Sequence, residues 1–366
     1  MSSLLASVTG RKIKVLVVDD SAIVRKLLSQ TLSSERDIEV VGVAPDAFVA
    51  RDKILKLEPD VLTLDIEMPR MDGLTFLKKL MQFHPLPVVV ISSLAQSSSR
   101  AALEAMQYGA VEVLAKPGGP YSVGDLKNDL PHKIRAAARA RLGVAPLPAS
   151  AIPPPVIAAP PQRPIDLRPA AHSDSVVLIG ASTGGTEAIR EVLESFPEDA
   201  PPVLVVQHIP AVFSRAFADR LDNTCRLRVK EAESGDRLSR GLALVAPGNH
   251  HMQLKRDPSG YRVVLDDGPL VCYQRPSVDV LFRSASVMPA NHFTAAILTG
   301  MGSDGAQGML ALKQAGAHTI AQNEATCVVF GMPREAIRLG ASDEVVPLKR
   351  IAAAILNSSY AAPRTA

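Results

Sequence analysis

Residues 176–185 read VVLIGASTGG. Apolar side chains run unbroken to Ile179 and stop at Gly180, and the small-residue turn that follows carries one serine, Ser182. A helix-period stretch lies near 185–195, so the passage reads as strand, tight turn and helix. Three readings fit such a turn. A dinucleotide cradle reads G-x-G-x-x-G with an acidic residue about 20 positions on. This turn reads G-A-S-T-G-G, and the next apolar run ends in Gln207-His208. A structural turn with an incidental serine is the second reading. The third is a nucleophile at a strand-to-helix bend, because Gly180-Ala181-Ser182-Thr183-Gly184 matches G-x-S-x-G.

Working outward, the same alternation continues. SVVLIGAS, VLVVQHI, LALVAP, YRVVLDD, TAAILTG, HTIAQ and EVVPL read as strands, with helices near 185–195, 211–221, 276–287, 305–315 and 332–339. LALVAP to YRVVLDD leaves no room for a crossover helix, so a hairpin-like excursion is expected there. The rest predicts an α/β domain over 174–358 with a mostly parallel sheet.

Upstream, residues 144–171 (VAPLPASAIPPPVIAAPPQRPIDLRPAA) are dominated by proline and keep no hydrophobic period. They read as an extended spacer, with linker boundaries at 142–173. Before it, KVLVVDD (14–20), IEVVGVA (38–44), VLTLD (61–65), VVVIS (88–92) and VEVLAK (111–116) alternate with helix-period stretches. A second α/β domain follows for 12–141, a five-stranded parallel sheet covered on both faces.

Composition narrows the function. The chain has 366 residues, 47% hydrophobic and 4% aromatic, with no Trp, which suits aliphatic α/β cores. The formal charge of +3 is too small to argue for nucleic acid. No apolar run approaches the ~18 residues of a membrane span, and the N-terminus lacks the regions of a signal peptide. Cys225, Cys272 and Cys327 fit neither a metal knuckle nor a CxxC pair, and read as small buried residues in a reducing cytoplasm.

In the first domain the strand ends carry the chemistry. Asp19 and Asp20 end the first strand, Asp65 the third, Ser92 the fourth and Lys116 the fifth. Ligands on parallel sheets bind at the carboxyl ends of the strands. Carboxylates crowded there favour a hard divalent cation such as Mg²⁺, and one of them can attack a phosphoryl group. VLVVDDS, LDIEMPRMDG, VVVISS and LAKP together resemble the signature of two-component receiver domains, which are flavodoxin-like. The resemblance implies Asp65 as phosphoacceptor and Asp19, Asp20 and Asp65 as the Mg²⁺ site. Ser92 and Lys116 would sense the phosphoryl group, and a histidine kinase would be the donor. Val113 stands where many receivers have an aromatic residue, so an aromatic switch there is not expected.

In the second domain a nucleophilic Ser182 needs a base and an orienting acid. His208 ends the strand after Ser182, and Asp304 lies beyond TAAILTG in a Gly-rich loop whose N–H groups could serve an oxyanion. His318 is a rival base, but it begins its strand and so falls at the opposite sheet edge. GASTGG, QHIP, APGNHHM, RPSVDVLF, LTGMGSDGA and CVVFGMP, in this order, resemble the catalytic domain of chemotaxis protein-glutamate methylesterases, the CheB family, which carries a receiver ahead of it. That resemblance implies Ser182 as nucleophile, His208 as base and Asp304 as orienting acid, with Thr183 and the Met301 N–H at the oxyanion site. It implies glutamate γ-methyl esters on the cytoplasmic region of chemoreceptors as substrate, glutamine deamidation at the same site, and control by the receiver. No cofactor is expected in the esterase site, and neither nucleic acid nor membrane insertion is expected. His250, His251 and Arg275 receive no catalytic step. A receiver-controlled binding module and a general esterase for small substrates are the competing classes.

Overall fold

The computed structural model describes residues 11–93, 96–117, 122–142 and 175–360. The expected proline-rich linker, save Leu142, and the lead-in to the first strand of the second unit lie outside them. The chain divides into two compact units between Leu142 and Gly143.

Apolar runs bounded by polar residues make the first unit a doubly covered sheet. Its elements are β1 (Ile13–Val18), α1 (Ala22–Ser33), β2 (Ile38–Ala44), α2 (Ala47–Leu57), β3 (Val61–Asp65), α3 (Gly73–Phe83), β4 (Val88–Ser92), α4 (Gln96–Gln107), β5 (Glu112–Ala115) and α5 (Val123–Ala138). The strands pair in the order β2-β1-β3-β4-β5, all parallel. Val15, Leu16, Val17, Leu62, Leu64, Val89 and Val90 are fully buried, as strands covered on both faces must be. Short polar side chains start the helices. Asp46 accepts from the Phe48 and Val49 N–H groups at α2, and Asp72 from the Thr75 N–H at α3. The order reverses beside β1, so the ends of β1 and β3 flank the crevice.

The second unit runs β6 (Val176–Ala181), α6 (Gly185–Glu194), β7 (Val203–Gln207), α7 (Ala211–Thr224), β8 (Arg228–Glu231), β9 (Leu242–Val245), β10 (His251–Asp257), β11 (Gly260–Asp266), α8 (Val278–Ser286), β12 (Phe293–Ile297), α9 (Ala306–Gln314), β13 (His318–Gln322), α10 (Met332–Arg338), β14 (Glu344–Val346) and α11 (Leu348–Tyr360). Seven parallel strands pair in the order β14-β13-β12-β6-β7-β9-β8. From β6 the chain moves one way to β7, β8 and β9, then returns to β6's other side at β12. The switch point therefore lies between β6 and β12.

β10 and β11 form a separate antiparallel hairpin, the expected excursion. The Leu254 N–H donates to Ser284 Oγ at 2.8 Å, tying the hairpin to α8. Four elements exceed the sequence reading: β8, β10, α11 and a single 3-10 turn at Glu324–Thr326. Leu178, Leu204, Met252, Leu281, Phe282, Phe293 and Met309 belong to one buried cluster that joins sheet, hairpin and α8. Among the described residues no helix is long and apolar enough to cross a membrane.

Candidate functional site

Carboxylate oxygens of Asp19, Asp20 and Asp65 lie within 4.8 Å of one another at the carboxyl edge of the first sheet. Asp19 and Asp65 are buried and Asp20 is exposed. Lys116 Nζ stands 3.0 Å from Asp19 Oδ2 and 2.8 Å from Asp65 Oδ2. Asp65 Oδ1 accepts, among the described residues, only a long bond from the Glu67 N–H, 3.2 Å. Asp19 Oδ1 accepts from the Ser21 N–H at 2.8 Å, while among the described residues its buried Oδ2 meets the Lys116 ammonium alone.

Burial pushes the Asp65 carboxyl up to about 6; the Lys116 hydrogen bond opposes the rise and the Asp19 charge adds to it. Burial raises Asp19 as well. Burial alone would lower Lys116, but its bonds and charges toward Asp65 and Asp19 win, and it is held above its usual range. Two buried carboxylates share one ammonium and an underbonded oxygen remains, so this donor set fits a hard cation such as Mg²⁺.

Gly73, of the MDG motif, is required here: a Cβ on it would stand 2.1 Å from the Asp65 carbonyl oxygen. Ser92 is buried at the end of β4, where its carbonyl accepts the Lys116 N–H at 2.7 Å. Val113 is buried within β5.

At the switch point of the second sheet, Ser182 follows β6 directly. Its N–H donates to Thr299 O at 3.0 Å. Its carbonyl accepts from the Gly185 N–H at 2.7 Å and from Gln207 Nε2 at 2.9 Å. Gln207 Nε2 also donates to His208 O at 3.1 Å, so one amide braces the backbone of both residues. The surroundings explain the glycines. A Cβ on Gly185 would meet Gln207 Oε1 at 2.1 Å, and one on Gly300 would meet Ser182 Cβ at 2.7 Å. Ser182 is 5% exposed, and among the described residues its Oγ has no hydrogen-bond partner.

His208 follows β7, and its N–H donates to Ala181 O, next to Ser182, at 3.1 Å. Its ring Nε2 lies 2.8 Å from Asp304 Oδ2, with both side chains buried. Asp304 Oδ2 also accepts the Val278 N–H at 2.7 Å. Its Oδ1 accepts Ser277 Oγ at 2.7 Å and the Asp279 N–H at 3.1 Å. Asp304 thus caps α8, a distant helix, while Gly305 starts the helix that follows it. Burial would raise its pKa, but the His208 and Ser277 bonds and the Val278 N–H hold it below the usual range. An ionised Asp304 only accepts, so His208 carries a proton on Nε2; in the neutral ring Nδ1 then keeps its lone pair.

Thr183 is buried, and its carbonyl accepts Thr299 Oγ1 at 2.9 Å. Among the described residues no acceptor meets the Met301 N–H. His318 opens β13 at the opposite sheet edge, bonded to Glu344 Oε1 at 2.9 Å. His251 is buried; its Nε2 donates to Pro269 O at 2.9 Å and its Nδ1 accepts the Ser277 N–H at 3.2 Å. His250 pairs with exposed Asp267.

Ser277, Gln207 and Thr299 are site residues that the sequence reading did not single out. The cysteine expectation needs correction, since only Cys327 is buried. Cys225 is half-buried and Cys272 is exposed, with its Sγ within 4.8 Å of Asp279 and Asp304 oxygens. Cys272 sits in a turn at the surface, a placement that residue type alone does not encode.

Residues 177–355 match the family described as CheB methylesterase, and residues 15–124 match the response regulator receiver domain. A protein-glutamate methylesterase/protein-glutamine glutaminase 2 of Syntrophus aciditrophicus is 54% identical, covering 93% of this chain and 97% of that relative. A protein-glutamate methylesterase/protein-glutamine glutaminase 5 of Anaeromyxobacter dehalogenans is 52% identical, covering 94% of this chain and 96% of that relative. Among solved structures, the CheB methylesterase catalytic domain of Thermotoga maritima is similar, with TM-score 0.50 and 38% identity over 51% of this chain and 99% of that one.

Proposed function

The chain belongs to the CheB methylesterase family, with a receiver domain ahead of the catalytic domain, and from that premise we propose that Ser182, His208 and Asp304 carry its hydrolytic step. The enzyme is a protein-glutamate methylesterase and protein-glutamine glutaminase. It removes methyl groups from glutamate γ-methyl esters of chemoreceptors and deamidates receptor glutamines, under control of receiver phosphorylation.

The observation that carries the residue assignment is the buried 2.8 Å contact between His208 and Asp304, whose carboxylate is fixed by three further donors. With the proton on Nε2, His208 takes the Ser182 proton at Nδ1. Ser182 Oγ attacks the ester carbon, and the Thr183 and Met301 N–H groups receive the oxyanion. His208 returns its proton to the leaving methoxide, and methanol departs. Water then hydrolyses the acyl-enzyme, with His208 again as base. For a glutamine amide only the leaving group changes. Ammonia leaves less readily than methanol, so deamidation leans harder on His208 as acid.

In the receiver, Asp65 takes a phosphoryl group from a chemotaxis-type histidine kinase. Asp19, Asp20 and Asp65 would hold Mg²⁺, which neutralises charge on the phosphoryl oxygens when bound. Lys116 leaves its carboxylate contact for the phosphoryl oxygens, and Ser92 donates to them. The acyl phosphate at Asp65 relieves inhibition of the esterase by shifting the population of receiver states. The reaction belongs to the cytoplasm, where the methylated receptor region lies.

The test is methanol release from a methylated chemoreceptor by the full chain, with and without Mg²⁺ and a small phosphodonor. Release that requires Ser182, and that rises with phosphodonor only while Asp65 is present, supports both sites. Near-normal release by Ser182→Ala overturns the assignment.

A further inference from the structure

Between β11 and α8 the chain makes a pinned loop over 267–276. Arg275 clamps its base: Nη1 donates to Asp267 O at 2.8 Å and Gly268 O at 2.9 Å, and Nη2 to Asn249 Oδ1 at 2.7 Å. Buried His251 is a second tie, joining Pro269 O to the Ser277 N–H. Ser277 in turn bonds Asp304. These contacts fix the loop to the residue that orients His208.

The tip is costly to hold. Val271 and Gln274 exchange both backbone hydrogen bonds, 3.1 and 2.9 Å, and the two residues between them are left-handed, Cys272 at φ 52° and Tyr273 at φ 63°. This is the type I′ pattern, which favours Asn-Gly. Cys-Tyr is not a pair that such a turn favours. What the turn does is present Leu270 at 59% and Tyr273 at 83% exposure, while Cys272 Sγ stays within 4.8 Å of Asp304 and Asp279 oxygens. Strain of this kind persists where the surroundings over-determine it, often at a functional site.

Ser182 is 5% exposed, so a glutamyl side chain must enter while its polypeptide stays outside. We propose that the 267–276 loop is the surface on which that polypeptide rests, with Leu270 and Tyr273 packing on apolar side chains beside the modified glutamate. Arg275 and His251 are positioning residues that hold the loop against Asp304. The proposal rests on the esterase reading. It assigns protein recognition to the loop and leaves the bond-breaking step to the buried groups.

The experiment uses the full chain and two substrates: a methylated receptor cytoplasmic fragment, and a small aryl ester that reaches Ser182 without a polypeptide. The double variant Leu270→Ser with Tyr273→Ala is expected to raise KM for the receptor ~10-fold, the loss of a modest interface anchor, with kcat and aryl ester hydrolysis unchanged. Tyr273→Phe, which keeps the ring, restores KM. An unchanged receptor KM overturns the proposal, as does an equal loss on both substrates, which marks a purely structural role. Binding of the receptor fragment to Ser182→Ala protein, with and without the loop substitutions, keeps the two readings separate. If wild type releases no methanol the esterase reading fails, while loop-dependent binding still decides the loop.

Discussion

Asp65 and Asp304 make an instructive pair. Each is a buried carboxylate at the carboxyl edge of a parallel sheet, and each faces one side chain that can carry positive charge. Yet Asp65 is pushed up to about 6 and Asp304 is held below the ordinary range. The difference is supply. Asp304 receives four donors, from His208, Ser277 Oγ, Val278 N–H and Asp279 N–H, at the positive end of α8. Asp65 receives two and shares one of them, Lys116, with Asp19. The first carboxylate is a finished anion that holds a histidine in place. The second is left short of donors, and that shortage makes it ready for a cation and a phosphoryl group.

The sharpest way to break this comparison is Asp304→Asn. The change swaps an acceptor for a donor opposite Nε2 and forces the wrong tautomer on His208. The corresponding change in a serine protease costs ~10⁴ in kcat, and a loss of that order in methanol release is expected here. Activity near wild type would mean that Asp304 serves only as the α8 cap.

The next effect is on stability, and the two carboxylates should oppose each other. Asp65 binds its proton more tightly folded than unfolded, so the receiver loses stability as pH rises from 3.8 to about 6. At 1.36 kcal/mol per pH unit, that interval is worth up to about 3 kcal/mol. Asp304 is depressed, so its contribution is present above its unfolded pKa and is lost as pH falls through the folded value. Hydrogen exchange on the full chain, followed from pH 4 to 6, should show receiver amides weakening as pH rises. Asp65→Asn should flatten that slope. An unchanged slope would remove Asp65 as its source.

Slightly smaller is the response to Mg²⁺. At ~100 times its Kd, a cation bound only by the folded receiver stabilises it by ~2.7 kcal/mol. Asp19→Asn should abolish that gain, while a chelator leaves basal methanol release untouched. A chelator-sensitive basal esterase would contradict the view that the second site is complete without a metal.

The smallest effect concerns the strained turn. Cys272→Asn with Tyr273→Gly suits two left-handed residues, and about 1 kcal/mol of relief would raise the Tm of the catalytic unit by ~2–4 °C. Scanning calorimetry reads this directly, and a fall in Tm would show that the native pair is not strained.

Much of this was legible because parallel strands buried on both faces are nearly continuous apolar runs. VVLIGA, VLVVQ and VVVIS announce themselves, and the residues that end them are then easy to list. RVKE, the edge strand β8, does not, since three of its four side chains are polar. In β10 the apolar residues are Met252 and Leu254 alone, among polar neighbours. α11 follows Pro347 at once, inside the expected domain but without a helix expected there. At the site, sequence order places Ser182, His208 and Asp304 beyond strands. The bonds that set their chemistry are another matter. Ser277 reaches Asp304 across 27 positions, and Gln207 spans two carbonyls through a side-chain direction that no periodicity encodes. The exposed position of Cys272 depends on backbone φ, which residue type leaves open.

The double duty of Asp304 has a genetic consequence. A carboxylate that holds His208, the proposed base, and also caps α8 would tie loss of activity to loss of stability. Among the described residues Ser182 Oγ supports no such bond. A duplicated gene drifting toward an inactive, receptor-binding product would therefore be free to lose Ser182 while selection for a folded chain still guarded Asp304. In such a lineage a retained aspartate would testify to folding, and the serine alone would testify to chemistry.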